Sequence, residues 1–458
     1  MTVEHLGIEV SIRNRPALDP GFLPLHRFHE RFLLTARRPF RIAVERPGGT
    51  AVFHTRIHGT EARFAADVFH VERSVKTLLW LKGGFRVLLW GDEAVCRAVA
   101  EQYAPGGART FDADFFSGIY GRPFAVERVD TFPEEREAPP ARSGSAAGCR
   151  IGFDAGGSDR KVSSVIDGQV VYSRETVWSP KEHADLRYHY EGIADSLRHA
   201  AAHLPRVDAV GISTAGICQG GRVLRSALFE RVPRDEFDPD IYRRVVNDLF
   251  GPVPCAVAND GDVSALAGAM AIGQNDVLGL AMGTSEAAGY VDAGGRLTGW
   301  LNELAFVPVA AGDDSPIDPW SGDRGCGAGY FSQDAVIRLA AAAGIPLDEA
   351  LSPAEKLSAV QSLLGSGDLR AAAVFDDMGV CLAHALAGYH ALYRFRHVFL
   401  QGRVVSGPGG ERMLARCRAV LADEYPTATG SFRLHLPSED LRRVGQAAAA
   451  AGLPAVTQ

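Results

Sequence analysis

Hydrophobic and polar positions follow two different rhythms along the chain, and the change between them divides it. In the first part RIAVER and AVFHTRIHG, rich in β-branched and aromatic residues, flank the break PGGT and predict two strands over 41–59. Residues 64–82 carry apolar positions at helical spacing, FRVLLW from Phe85 reads as a strand, and Asp92 is placed to cap a helix reaching Tyr103. Together they predict a small α+β unit over 1–130. Its two strongest segments read as strands, so it does not read as a helix-turn-helix. Residues 131–148, TFPEEREAPPARSGSAAG, have no periodicity and the composition of a solvated linker. Beyond them strands alternate with helices. CRIGFDAGG, KVSSVIDGQVVYSRETV, VDAVGIS, CAVAND, VLGLAMG, AAGYVDAGGRL and HVFLQG (397–402) read as strands. Helices are expected at 183–203, in DVSALAGAMAIG, and at 332–343, 371–396 and 438–451. This alternation predicts an α/β core with helices covering a mixed sheet.

Composition narrows the function classes. With 458 residues, 46% hydrophobic and 22% charged, the chain is an ordinary globular protein and not a disordered, collagen-like or coiled-coil one. Its net charge of -7 argues against a nucleic-acid binder, which needs a basic surface to neutralise phosphates. The N-terminus has no basic stretch followed by an apolar run, and no stretch approaches the roughly 18 apolar residues of a membrane span. A cytoplasmic protein with no membrane partner is expected. The seven cysteines contain no C-x-x-C pair and read as reduced thiols. The 50 glycines are the one excess, and their value depends on whether they let backbone approach a ligand.

Two glycine loops answer part of that question. Asp154-Ala155-Gly156-Gly157-Ser158 lies between two strands, so it is a hairpin turn and not a strand-to-helix phosphate loop. Adjacent glycines expose N–H groups to an anion, Ser158 adds a hydroxyl, and Asp154 is placed to hold a metal-bound water beside phosphates; a plain tight turn is the alternative. A second loop, from Met282 to Gly289 with Gly283, Thr284, Ser285 and Glu286, again lies between strands. Two such units point to two lobes gripping a phosphate chain. Between them Asn259-Asp260 ends a strand and precedes a helix. A carboxylate there faces the crevice of an α/β sheet and can take the proton of an attacking hydroxyl; the alternative is a helix N-cap, for which Asp260 or Asp262 would serve.

The ordered motifs GFDAGGS, VGISTAGI, VANDGDVSALAG, LGLAMGTSEAAGYVDAGGRLTG and VFLQGRVVSGPGG resemble the ROK family of sugar kinases, within the superfamily of sugar kinases, actin and chaperone ATPases. The resemblance covers about residues 149–455. It implies a two-lobed, actin-like and ribonuclease H-like α/β ATPase fold over 149–458, with 1–130 as an accessory α+β domain and 131–148 as linker. Asp154 resembles the aspartate that organises the metal–nucleotide, holding Mg²⁺ through water, and Gly156, Gly157 and Ser158 resemble its turn. Asp260 matches the general base and Asn259 the hydroxyl-binding amide beside it. Gly283 and Thr284 match the second phosphate loop, while Gly407, Gly409 and Gly410 lie where the adenosine loop falls. Glu303 matches a sugar-binding glutamate. ATP and Mg²⁺ are the implied cofactors, a sugar or polyol the implied partner, and a homodimer the implied assembly.

The departures are specific. Phe306 stands where many members have a sugar- and zinc-binding histidine, Pro319 and Ser321 where two cysteines belong, and Ala328 where a second sugar-binding glutamate lies. Cys326 alone cannot hold a tetrahedral zinc, so no zinc is expected. The changes leave the sugar open and do not commit it to glucose. Ser285 and Glu286 replace small residues in the second phosphate loop, where a carboxylate repels a triphosphate unless it faces a metal or turns outward. Gln401-Gly402-Arg403 replaces a run of glycines. His384, His390 and His397 are read along one helix at spacings that do not pair two imidazoles on a metal. Trp80 and Trp90 are read as core, and Arg324 as a salt-bridge partner more than a substrate contact. The expected function is ATP-dependent phosphorylation of a sugar or polyol hydroxyl. Its rivals are a non-catalytic sugar sensor, favoured by Glu286, and an ATPase activator of a partner enzyme, disfavoured by the absence of clustered cysteines.

Overall fold

The structure, a computed structural model, describes residues 2–137, 147–437 and 439–453, with the side chains of 439–444 left outside. The chain begins with an antiparallel hairpin, β1 (Thr2–His5) and β2 (Ile8–Ser11), turned at Leu6-Gly7, followed by α1 (Leu25–Thr35). Next come β3 (Arg38–Arg46), β4 (Gly49–Ile57), α2 (Phe64–Lys82), β5 (Arg86–Trp90), α3 (Glu93–Tyr103), α4 (Thr110–Tyr120), β6 (Ala125–Arg128) and β7 (Arg136–Glu137). They form one five-stranded sheet in the order β6-β5-β3-β4-β7. The side chain of Asp92 accepts from the N–H groups of Ala94 and Val95, the expected cap of α3.

Residues 1–130, read from sequence as a unit of their own, share one hydrophobic core with the C-terminal lobe. Phe40, Val71, Leu79 and Trp80 belong to the same buried cluster as Leu304, Tyr330, Val374 and Leu386. Part of the expected linker is also structured: Arg136 and Glu137 pair with Thr50 and Gly49 as the edge of the N-terminal sheet, while 138–146 lie outside the described residues. A buried set of charges stitches the halves together. Asp323 accepts from Arg73 (2.9 Å), Lys76 (2.8 Å) and Arg109 (2.8 Å). Glu72 pairs with Arg73 and Arg109, and Asp112 with Lys76 and the Trp80 indole N–H, so three cations face three carboxylates. Composition hides this joint because each of these charges reads singly as a solvated one.

The first lobe contains β8 (Cys149–Ala155), β9 (Asp159–Ile166), β10 (Gln169–Val177), α5 (Leu186–Ala201), β11 (Ala209–Thr214), a small hairpin β12 (Ile217–Gln219) and β13 (Arg222–Arg225), α6 (Ile241–Phe250) and β14 (Cys255–Asn259). Its main sheet runs β10-β9-β8-β11-β14, with β8, β11 and β14 parallel. The second lobe contains α7 (Asp260–Ile272), β15 (Val277–Met282), β16 (Glu286–Val291), α8 (Gln333–Ala342), α9 (Pro353–Gly365), α10 (Leu369–Tyr393), β17 (His397–Gln401), α11 (Gly407–Glu424), α12 (Pro426–Thr429), β18 (Arg433–His435) and α13 (Glu439–Ala451). Its sheet runs β16-β15-β17-β18, again a hairpin continued by parallel strands, so the two lobes share a plan.

Helices α7 and α13 lie between the two sheets. Part of the glycine excess serves this packing: a Cβ on Gly152 of β8 or Gly211 of β11 would run into the α13 backbone at Ala447 and Ala450. Helix α10 is the one described helix long and apolar enough to cross a membrane, and it is buried among α1, α8, α9 and α11. His397 does not lie on a helix with His384 and His390, as the spacing predicts, but opens β17, because α10 ends at Tyr393 with Arg394 left-handed. His384 is buried, donating to the Asn14 carbonyl and accepting from the Tyr425 hydroxyl, while His390 packs against Phe395 and Phe432. Trp80 is core as expected; Trp90 is half-buried beneath the Arg41 guanidinium.

Candidate active site

The carboxyl ends of β8, β11 and β14 are in register, setting Asp154 beside Ser213 and Thr214 beside Asn259. Crevices at such strand ends are where α/β sheets bind ligands. Asp154 is buried, and its Oδ1 accepts from the Ser213 hydroxyl at 2.6 Å. Burial raises its pKa, and the Ser213 bond and Lys161 oppose that rise.

The cap of α7 is neither Asp260 nor Asp262, the two residues named from sequence for that role, but Asn259. Its Oδ1 accepts from the Gly261 N–H at 2.7 Å and its Nδ2 donates to the Gly216 carbonyl at 2.6 Å. The Asn259 amide therefore holds backbone, while Asp260 Oδ1 shares the Gly261 N–H at 3.0 Å and leaves its other carboxylate oxygen without that bond. Asp260, Asp262 and Glu303 are partly exposed and form one electrostatic group. Burial, then the Asp154 carboxylate, pushes Asp260 to about 7; burial pushes Asp262 to about 7 against hydrogen bonds from Asn302 and the Tyr290 backbone. Burial, then Asp260 and Asp262, raise Glu303 to about 8. Cys218 on β12 is pushed up by burial and by the same three carboxyls, which places it at this cluster.

Glu303 is positioned from the N-terminal unit. The N–H groups of Asn302 and Glu303 donate to the carbonyls of Leu81 (2.9 Å) and Trp80 (3.0 Å) at the end of α2. Asn302, left-handed at φ 55°, donates to Asp262 (3.0 Å) and accepts from the Tyr393 hydroxyl (2.9 Å). Phe306 stacks on Trp80 with ring centroids 4.2 Å apart.

Both glycine loops are hairpin turns at the cleft. In the first, the Gly156 N–H donates to the Asp159 carbonyl (3.0 Å), Gly157 and Ser158 are exposed, and Lys181 lies over Gly157. In the second, the Gly283 N–H donates to the Ser285 carbonyl (2.9 Å) and Thr284 and Ser285 are exposed. Glu286 corrects the sequence expectation of a charge beside the phosphates. It opens β16, is 3% exposed, lies against Gly327, and neither carboxylate oxygen has a hydrogen-bond partner among the described residues. Burial alone raises its pKa to about 8, so at neutral pH it is mostly uncharged inside the lobe.

The third glycine segment is the first turn of α11 rather than an open loop. Gly407 starts the helix, Gly409 packs beneath the Phe375 ring, and Gly410 packs against the Val405 backbone. The preceding turn nevertheless meets the second loop: the Val404 N–H donates to the Met282 carbonyl at 3.1 Å, and Gly402 sits against the Met282 backbone. Among the predicted residues, the structure thus groups Asp154, Asn259, Asp260 and Glu303, and joins the strand leading into Gly283 to the turn at Gly402–Val404 that precedes Gly407. The Arg324 guanidinium donates to the Ser315 carbonyl and pairs with no carboxylate among the described residues, while its backbone N–H donates to Asp323. Sequence reasoning missed Cys218, Asn302, Lys161 and Lys181, which no motif marks; Ser213 stood within VGISTAGI without being given a role, and Asp262 carried a signal, its spacing from Asp260, but was read as a cap.

No family model matches the sequence, and no curated protein matches it. Solved structures do. A ROK hexokinase from Thermus thermophilus superposes with a TM-score of 0.52 at 22% identity, over 67% of this chain and 97% of its own. A putative sugar kinase from Cytophaga hutchinsonii gives 0.51 at 17% identity, over 67% and 99%. A ROK family transcriptional regulator, a homologue of the E. coli MLC protein, gives 0.54 at 16% identity, over 79% and 89%. The chain therefore has the two-lobed, actin-like fold of the ROK sugar kinases.

Proposed function

We propose that this protein transfers the terminal phosphoryl group of ATP to a hydroxyl of a sugar or polyol. The observation that carries the reading is Asp260: Asn259 takes over the helix cap, and a carboxylate with a pKa near 7 is left in the crevice between two glycine hairpins. A base whose pKa lies near working pH can hold a substrate proton without being protonated most of the time. In this reading Asp260 takes the hydroxyl proton as the oxygen attacks, and Glu303, mostly protonated at neutral pH, donates a hydrogen bond to a neighbouring hydroxyl. In this reading the exposed turn at Gly157, the exposed Thr284 and Ser285 and the Lys181 ammonium face the phosphate chain. Asp154, a buried carboxylate with one oxygen fixed by Ser213, fits a Mg²⁺ ion held through water, which would neutralise phosphate charge when bound. Closure of the lobes would keep water from competing with the acceptor. A panel of sugars and polyols in a coupled ADP-release assay tests this; absence of acceptor-dependent ADP release across the panel refutes it.

A second reading, a sugar sensor without catalysis, draws on one observation: the regulator superposes over 79% of the chain against 67% for the hexokinase, and so reaches into the N-terminal unit. Calorimetry with a non-hydrolysable ATP analogue and Mg²⁺ separates the two. Binding favours the kinase, and no binding favours the sensor.

A further inference from the structure

A cavity of about 470 Å³ is lined by Phe306, three residues beyond Glu303, and by Thr284 and Ser285 of the second glycine hairpin, and the proposed function assigns its aromatic lining no role. Phe111 and Phe115 of α4, Phe306, Trp320, Arg225 and Thr284 are among the residues that line it. Three of its lining residues neighbour the acceptor site along the chain or across a strand pair. Phe306 ends the single turn that Glu303 caps, Thr284 belongs to the second glycine hairpin, and Arg225 pairs in register with Ile217, the neighbour of Cys218.

The chemistry of the two compartments differs. The acidic cluster offers three carboxyl groups, which suit hydroxyls. In the cavity three of the polar side chains already have partners, and its aromatic side offers none. Asp318 accepts from Ser321, Ser332 donates to the Ala328 carbonyl, and Arg338 pairs with Asp19. Hydroxyl groups placed against Phe111, Phe115, Phe306 and Ala328 would lose water without gaining hydrogen bonds, at a cost that disfavours a bare sugar there. An aromatic ring would gain contact with several ring faces at once. Trp320 is 66% exposed and Ile317 53%, so apolar and π surface is presented to solvent, while the Arg225 guanidinium lies 5.5 Å above the Phe115 ring.

We propose that the acceptor is an amphipathic glycoside, its sugar hydroxyl at Asp260 and an aromatic aglycone in the Phe111–Phe115–Phe306–Trp320 pocket. This rests on the kinase reading for the reaction but not for the binding. The test pairs each sugar of a panel (glucose, mannose, galactose, N-acetylglucosamine) with its α- and β-phenyl glycosides. Binding is followed by calorimetry, and phosphorylation by ADP release. At least one phenyl glycoside is expected to bind about tenfold or more tightly than its parent sugar. Trp320→Ala and Phe115→Ala should each reduce that advantage about 2- to 10-fold while leaving the parent sugar unchanged. Trp320 is exposed, so its variant reads the pocket even where Phe115→Ala disturbs packing. Tight phenyl-glycoside binding without phosphorylation supports the pocket and refutes the kinase. Phosphorylation of free sugars with no gain from a phenyl group overturns the pocket and leaves the kinase standing. Failure of every phenyl glycoside to bind more tightly than its parent also overturns it.

Discussion

The backbone N–H of Glu303 donates to the carbonyl of Trp80 at 3.0 Å, so a carboxylate of the cleft takes its position from the last turn of a helix in the N-terminal unit. The indole of Trp80 is fully buried, stacks on Phe306 and donates to Asp112. Trp80→Ala is expected to cost about 3–5 kcal/mol of stability, the usual range for a large buried aromatic. A shift in the denaturant midpoint measures it. Residues 149–458 alone should not fold, because the core they share with 40–116 would be exposed; a soluble fragment with cooperative unfolding would contradict the shared core.

The buried charges around Asp323 should behave as a unit. Asp323→Ala leaves Arg73, Lys76 and Arg109 with fewer carboxylates than cations, and an unpaired buried charge costs about 3–5 kcal/mol. Adding Lys76→Met to that variant should recover part of the loss. A double-mutant cycle with additive effects would show that the contacts are not coupled.

Glu286 predicts an unusual pH dependence. Its pKa in the fold is about 8, above the ordinary carboxylate value near 4.5, so the folded state holds a proton the unfolded chain has released. Stability from this residue is full below about pH 4.5 and is lost progressively as pH rises to about 8. Glu286→Gln should therefore leave the melting temperature little changed near pH 5 and raise it near pH 8. Equal effects at both pH values would place the carboxylate in solvent.

Asp260 predicts the acid limb of the activity profile. The base must be ionised, so kcat/KM should rise with pH through about 7 and level off above it. The falling limb should lie near 8, where Glu303 loses its proton, and Glu303→Gln should move that limb to higher pH. A profile flat from pH 5 to 7 would rule out proton transfer to Asp260 as described.

Much of the framework was legible in residue order. The strands at 41–57, the helix at 64–82 and the cap at Asp92 follow from local periodicity and a single side chain. The hairpins at Gly156 and Gly283 follow from glycines between apolar runs. What was hidden is non-local. No pattern around Arg73 or Lys76 announces Asp323, 250 and 247 positions away in the chain, and polar-looking residues concealed a buried joint. Nor does a carboxylate in a loop motif reveal which way it points, so Glu286 read as an obstacle to phosphate until the structure turned it inward. Glycine was ambiguous for the same reason: Gly157 is exposed at the cleft, whereas Gly152, Gly211 and Gly409 are there because a helix or a ring approaches them.

The central claim is that Asp260 activates an acceptor hydroxyl, and acceptor-dependent ADP formation by the wild-type protein and Asp260→Asn tests it most directly. The account predicts turnover by the wild type on at least one sugar, polyol or glycoside, a loss of about 10²–10⁴-fold in the variant, unchanged binding of ATP analogue, and a melting temperature no lower than the wild type's. Equal turnover by the two proteins would contradict it.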